Sequence, residues 1–299
     1  GVPITEFCDA RSLTMRDRIA LFIAVCQAVQ HAHQKGVIHR DLKPSNILVT
    51  DQDGQPLPKV VDFGIAKATD TLLNEKTIFT RFHQIIGTPT YMSPEQAGLG
   101  GLDVDSRSDV YSLGVLLYEL LTGRTPFHAR ELLSQGPDAL LRAVREAEPS
   151  KPSTRLSTLN REELVAVAAR RSEAPDHLKR VVKGELDCII LKALEKDRNR
   201  RYETASALAS DLNRFLQGEP VTAAPPSVPY QLTKFAKGQR NGLATTYADI
   251  RQNVQNRARA FAHTPPLQTL EVGDDYAAGM QLLSDLAEAF SMGLVRGAA

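Results

Sequence analysis

The sequence predicts a mainly α-helical fold that carries one small β-hairpin. Three observations carry that expectation. Apolar residues recur at helical spacing from Ile19 through Leu21, Phe22, Val25, Cys26 and Val29 to Ala32. A second run, Val110 to Leu121, is apolar almost all round, as a helix at the centre of a domain has to be. Between them, Ile47-Leu48-Val49 and Lys59-Val60-Val61 are short β-rich runs separated by Asp51-Gln52-Asp53-Gly54, a turn signal that folds them into a hairpin.

In chain order, Thr14-Met15-Arg16-Asp17 has the form of a capping box, so the first long helix is expected from about Thr14 to Lys35, with Gly36 as its C-terminal cap. Past the hairpin, residues 65–86 are polar, rich in Thr and unperiodic, as a long functional loop is. The apolar helix then runs through Asp109-Val110-Tyr111 to Gly123, with Pro126 just beyond. Shorter helices are expected at Asp138 to Glu148, Glu162 to Arg171, Glu185 to Glu195 and Thr204 to Leu216, with Pro149, Pro152, Pro175 and Gly218 as punctuation. Arg161-Glu162-Glu163 and Arg170-Arg171 are expected to be solvated helix faces. The stretch from Pro220 to Pro229 is Pro- and Ala-rich and fits a linker or surface arm. These shifts divide the chain into a domain at 1–218, a linker or arm at 219–240, and a helical or partly disordered tail of unassigned role at 241–299.

The bulk numbers exclude several classes. Of 299 residues, 42% are hydrophobic and 24% charged, the balance of a folded soluble protein. A net charge of +1 gives no reason to expect a nucleic-acid partner. Cys8, Cys26 and Cys188 are scattered and odd in number among apolar neighbours, which predicts buried thiols in a reducing, cytoplasmic setting rather than a disulfide or metal framework. The chain opens on Gly1-Val2-Pro3 without a signal-peptide pattern, so an internal start is expected. Val110 to Leu121 is too short to span a bilayer.

The chemistry is concentrated in Val37-Ile38-His39-Arg40-Asp41-Leu42-Lys43-Pro44-Ser45-Asn46-Ile47-Leu48-Val49. An acid, a cation and an amide stand on one short polar loop between a helix end and a strand. His-Arg-Asp-Leu-x-x-x-Asn is the pattern in which the Asp takes the proton of a substrate hydroxyl and the Asn holds a magnesium ion. Asp62-Phe63-Gly64 follows at the end of the hairpin, and Ser93-Pro94-Glu95 stands where Ala-Pro-Glu closes an activation segment.

On these motifs, together with Ala28 to Gly36, Gly87 to Ala97, Arg107 to Phe127 and Ala193 to Tyr202, the segment from Gly1 to about Arg240 resembles the C-terminal lobe of a bacterial Hanks-type serine/threonine protein kinase, of the planctomycete kind. The resemblance implies ATP and Mg2+ as cofactors and protein Ser/Thr hydroxyls as substrates, in signal transduction by phosphorylation. It implies Asp41 as catalytic base, Lys43 on the γ-phosphate, Asn46 and Asp62 as magnesium ligands, and Leu48 beneath the adenine. Thr88 would hydrogen-bond the base and help select Ser/Thr. Glu95 would pair with Arg201, and Asp109 would hold the catalytic-loop backbone. His39 and Phe63 would stack in an internal apolar spine, with Gly64 completing that motif. Arg40 would answer a phosphothreonine, for which position suggests Thr77 or Thr80.

No Gly-rich loop, strand lysine or partner glutamate precedes the loop. The expectation is therefore a kinase-like C-terminal lobe with the N-terminal lobe absent, weak by itself in ATP binding and phosphoryl transfer. The alternative is a kinase-like scaffold or docking module without catalysis. The resemblance also leads one to expect a membrane span after residues 230–240, and residues 241–299 show none.

Overall fold

A computed structural model describes residues 1–52, 54–63, 89–98, 104–127 and 129–224. The chain divides by its contacts into Gly1–Asn241 and Gly242–Ala299, and all described residues lie in the first unit. Thr77, Thr80, Gly64, Thr88 and the tail 241–299 fall outside the described residues.

Strand β1 (Val2–Pro3) leads into helix α1 (Ile4–Ala10) and then α2 (Met15–Gln34). Thr14 caps α2: its hydroxyl oxygen accepts from the Asp17 N–H at 3.2 Å, and the hydroxyl donates to the Asp17 carboxylate at 2.6 Å. The helix buries Ile19, Phe22, Val25, Cys26 and Val29 and ends where Gly36 takes a φ of 74°, a left-handed turn that glycine enters without cost. The polar loop follows at once.

Strands β2 (Ile47–Gln52) and β3 (Gln55–Val60) pair antiparallel, with Ile47 opposite Val60 and Gln52 opposite Gln55. At the turn the Gly54 N–H donates to Asp51 at 2.8 Å. Here the expected fold class needs correction. The sheet has three strands in the order β1-β2-β3, because Val2 and Pro3 pair with Val49 and Leu48. Two residues cannot show a period, and one of them is proline, so no sequence signal marked this strand. Strand β3 also begins earlier than expected. Pro56 and Pro58 argue against a central strand but are compatible with an edge, where their missing N–H groups forfeit no ladder bond.

Helix α3 (Ser106–Thr122) is the core of the unit. Asp105 caps its start by accepting from the Arg107 N–H at 2.8 Å, and Gly123, at φ 76°, ends it. Nearly every side chain between is buried, Val110, Leu113, Val115, Leu116, Leu117 and Tyr118 completely. Gly114 is needed there: a Cβ at this position would stand 2.8 Å from the Ala193 Cβ and 3.2 Å from Leu194 Cδ2.

The remaining helices are α4 (Ala129–Ser134), α5 (Pro137–Glu146), α6 (Pro152–Thr158), α7 (Arg161–Ala169), α8 (Pro175–Val182), α9 (Glu185–Ala193) and α10 (Ala205–Gln217). Pro152 and Pro175 open helices α6 and α8 rather than interrupting a connection, since the first helical position has no use for an N–H. Arg171 is also not on a solvated face. It is 1% exposed and donates to the carbonyls of Leu121 at 2.6 Å, Leu120 at 2.9 Å and Val167 at 2.9 Å. Burial pulls its guanidinium down to about 10, and the nearby Arg18 charge adds to this. The bare carbonyls at the end of α3 take the place of a carboxylate partner. After α10, the buried Asp211 carboxylate accepts from the Tyr202 hydroxyl, the Thr222 N–H and hydroxyl, and the Ala223 N–H, at 2.6–2.9 Å, fastening residues 222–223 to the fold. Among the described residues no helix is long and apolar enough to cross a membrane.

Candidate active site

The loop after α2 and the start of β2 bring Asp41, Lys43 and Asn46 together. Asp41 Oδ2 accepts from Lys43 Nζ at 2.9 Å and from Asn46 Nδ2 at 3.3 Å, and the same Asn46 amide donates to the Asp41 carbonyl at 2.9 Å. Acid, cation and amide thus form one connected group, partly buried, with Asn46 on a single 3-10 turn, Pro44–Asn46. A proline opens that turn, where its locked φ costs nothing. Leu48 lies partly exposed on β2, on the face opposite the buried Ile47 and Val49, as the period of two requires.

His39 is fully buried, and its tautomer is determined by its partners. The Val61 carbonyl, 2.9 Å from Nε2, can only accept, so Nε2 carries the hydrogen. The Asp41 N–H, 3.3 Å from Nδ1, can only donate, so Nδ1 offers its lone pair. The ring lies 4.7 Å from Phe63, tilted by 44°. Between Val61 and Phe63, Asp62 is exposed and takes a φ of 56°. A non-glycine residue there is sparsely populated and signals a constrained site.

Asp109, buried on α3, holds this loop by its backbone. Its Oδ2 accepts from the His39 N–H at 2.8 Å and from His33 Nε2 at 2.7 Å, and its Oδ1 from the Arg40 N–H at 2.9 Å. Arg40 itself sits at φ 65°, another left-handed non-glycine residue. His33 was not singled out in the sequence, though a signal existed: it continues the buried stripe Cys26, Val29 at helical spacing.

Residues 89–98 are pinned to α3 and to the Arg201 region. Both Glu95 oxygens accept from Arg201, at 2.7 and 2.8 Å, and Oε1 also accepts from the Ser108 hydroxyl at 2.5 Å. Burial alone would raise the Glu95 carboxyl, but the Arg201 bonds and charge, aided by Ser108, outweigh it and hold it below the usual carboxylate range. The Arg201 guanidinium, fully buried, donates also to the carbonyls of Glu195, Arg107 and Lys196 and lies over the Tyr111 ring. One turn further along α3, the Ser112 hydroxyl donates to the Tyr91 carbonyl at 2.7 Å and Glu119 accepts from the Tyr91 hydroxyl.

A family profile described as the protein kinase domain matches residues 4–212. The chain belongs to the protein kinase family. The serine/threonine-protein kinase PknB of Mycobacterium tuberculosis is 38% identical over 224 residues, covering 75% of this chain and 30% of that protein. A probable serine/threonine-protein kinase of Streptomyces coelicolor is 36% identical over 215 residues, covering 72% of this chain and 27% of that one. The chain therefore spans less than a third of the length of these bacterial kinases. The solved kinase domain of Mycobacterium tuberculosis PknI matches at 22% identity and a TM-score of 0.45, over 72% of this chain and 62% of that one, a likeness too slight to argue from. The family match corrects the expectation that the N-terminal lobe is absent. Residues 4–212 align with the kinase domain, and where a sequence begins says nothing of what precedes it in the protein.

Proposed function

We propose that this chain is part of a serine/threonine protein kinase that moves the γ-phosphoryl group of ATP to Ser and Thr hydroxyls of proteins. The observation that carries this reading is the connected group on residues 41–46, in which one carboxylate oxygen accepts from both a lysine and an asparagine. The names of the bacterial relatives support the Ser/Thr preference.

In this reading the Asp41 carboxylate takes the proton of the acceptor hydroxyl, and Lys43, tethered beside it, meets the γ-phosphate as a point charge. Asn46 and Asp62 supply a carbonyl and a carboxylate oxygen, donors suited to magnesium. Bound there, magnesium supplies neutralisation of phosphate charge. Leu48 offers a partly exposed apolar surface for the adenine, and Thr88, which lies outside the described residues, takes the hydrogen bond to Asp41 that helps select Ser/Thr. Arg40 provides a cation for a phosphothreonine at residue 77 or 80.

The test is phosphoryl transfer from ATP and Mg2+ to a generic Ser/Thr protein substrate. Asp41→Ala is expected to lower kcat at least about a hundredfold, the usual contribution of a general base. Equal rates for the two proteins would refute the assignment.

A further inference from the structure

Gln96 reaches from the end of the 89–98 segment to the peptide bond that precedes Asp41. Its Nε2 donates to the Arg40 carbonyl at 2.8 Å. Its Oε1 accepts from the Ser93 N–H at 3.0 Å and from the Ser93 hydroxyl at 3.2 Å, and its own N–H donates to Ser93 Oγ at 3.4 Å. The orientation of this amide is not a matter of choice. A backbone N–H can only donate and a carbonyl can only accept, so the oxygen must face Ser93 and the nitrogen must face Arg40.

The peptide held in this way is a demanding one. Arg40 is left-handed at φ 65°, a conformation that costs a non-glycine residue about 1–2 kcal/mol and persists only when its surroundings over-determine it. Asp109 holds the Arg40 N–H, His39 Nδ1 holds the Asp41 N–H, and Gln96 holds the carbonyl between them. Every polar group of that linkage has a partner, and the partner of the carbonyl comes from the segment that ends the activation region. Ser93, completely buried, replaces the alanine of the family pattern, and its hydroxyl and N–H are what turn the Gln96 amide toward the loop.

We propose that Gln96, oriented by Ser93, is a positioning residue of the catalytic loop: it holds the Arg40–Asp41 peptide, and so the aim of the Asp41 carboxylate, only while residues 93–96 are docked. The effect on turnover rests on the kinase reading above, whereas the clamp itself does not.

The experiment uses the full chain and the variants Gln96→Glu, Gln96→Met and Ser93→Ala. It measures amide hydrogen exchange across residues 38–46 together with phosphoryl transfer from ATP and Mg2+ to myelin basic protein. Gln96→Glu keeps both acceptor contacts to Ser93 and replaces the donor to Arg40 with a carboxylate oxygen that faces the carbonyl, acceptor against acceptor. It is expected to speed exchange of the loop amides about tenfold and to lower kcat about ten- to a hundredfold with the KM for ATP within about twofold. Gln96→Met removes the donor to Arg40 without adding a charge and also the acceptor of the Ser93 N–H and hydroxyl, and is expected to shift exchange and kcat in the same direction. Ser93→Ala, which keeps the Nε2 bond, is expected to lower kcat by only about threefold. Unchanged exchange in Gln96→Glu overturns the clamp whatever the activity. Faster exchange with unchanged kcat overturns the positioning role. A whole protein containing this chain that transfers no phosphate refutes the kinase reading, and the exchange measurement then decides the clamp by itself.

Discussion

Helix α3 and the loop at residues 39–46 lie against each other and are built in opposite ways. The helix carries its own instructions: an Asp105 cap, an apolar run from Val110 to Leu121 interrupted by few polar residues, a glycine where α9 approaches and a glycine where it stops. The loop carries almost none. Its backbone turns left-handed at an arginine, and what holds it there is side chains from 56 to 70 residues further along the chain, Gln96, Asp109 and their neighbours. The local sequence can supply a shape that apolar burial rewards, while a strained polar shape needs hydrogen-bond partners supplied from elsewhere.

The sharpest way to break that comparison is to remove the loop's chief external support. Asp109→Ala leaves three donors, from His39, Arg40 and His33, without their acceptor. At about 1–3 kcal/mol for each stranded group, a loss of roughly 4 kcal/mol in urea unfolding is expected, with kcat falling at least about a hundredfold. If activity survives, the loop shapes itself without Asp109.

A smaller effect is expected at the docked end of the activation region. Glu95→Gln breaks a buried pair and is expected to cost about 3 kcal/mol at pH 7. The Glu95 carboxyl is held below its ordinary range in the fold, so its contribution is fully present above the unfolded value of about 4.3 and is lost as pH falls through the folded value beneath it. The gap between wild type and Glu95→Gln should therefore close in acid. A gap that stays constant from pH 7 to pH 3 would assign the loss to packing rather than charge.

The least effect concerns the helix. Gly114→Ala gains about 1 kcal/mol of helix propensity but drives a methyl against Ala193 at 2.8 Å, an overpacking cost of about 1–3 kcal/mol. A modest net loss of stability is expected, recovered when Ala193→Gly is added. Wild-type stability in Gly114→Ala alone would show that α9 can move away freely.

The differences between expectation and structure follow the same division. The two long helices were legible because burial imposes a period on many residues at once, whereas β1 was illegible because two residues hold no period and its pairing with Val49 and Leu48 lies 45 to 47 residues away. Arg171 read as a surface charge because a guanidinium is normally solvated; only the fold brings it the open carbonyls at the end of α3. In the candidate site, the identities of Asp41, Lys43, Asn46 and Asp62 were present in the motif, and their mutual distances were not.

By itself, then, the sequence determined the helices whose apolar residues recur at helical spacing, the caps that begin and end them, and which polar side chains stand on the loop at residues 41–46. Tertiary structure alone decided the tautomer of His39, the orientation of the Gln96 amide, the burial of Arg171 and the left-handed turn before Asp41. Each of these depends on a hydrogen-bond partner distant in sequence, and a donor or acceptor buried away from water is satisfied only by the geometry of the folded chain.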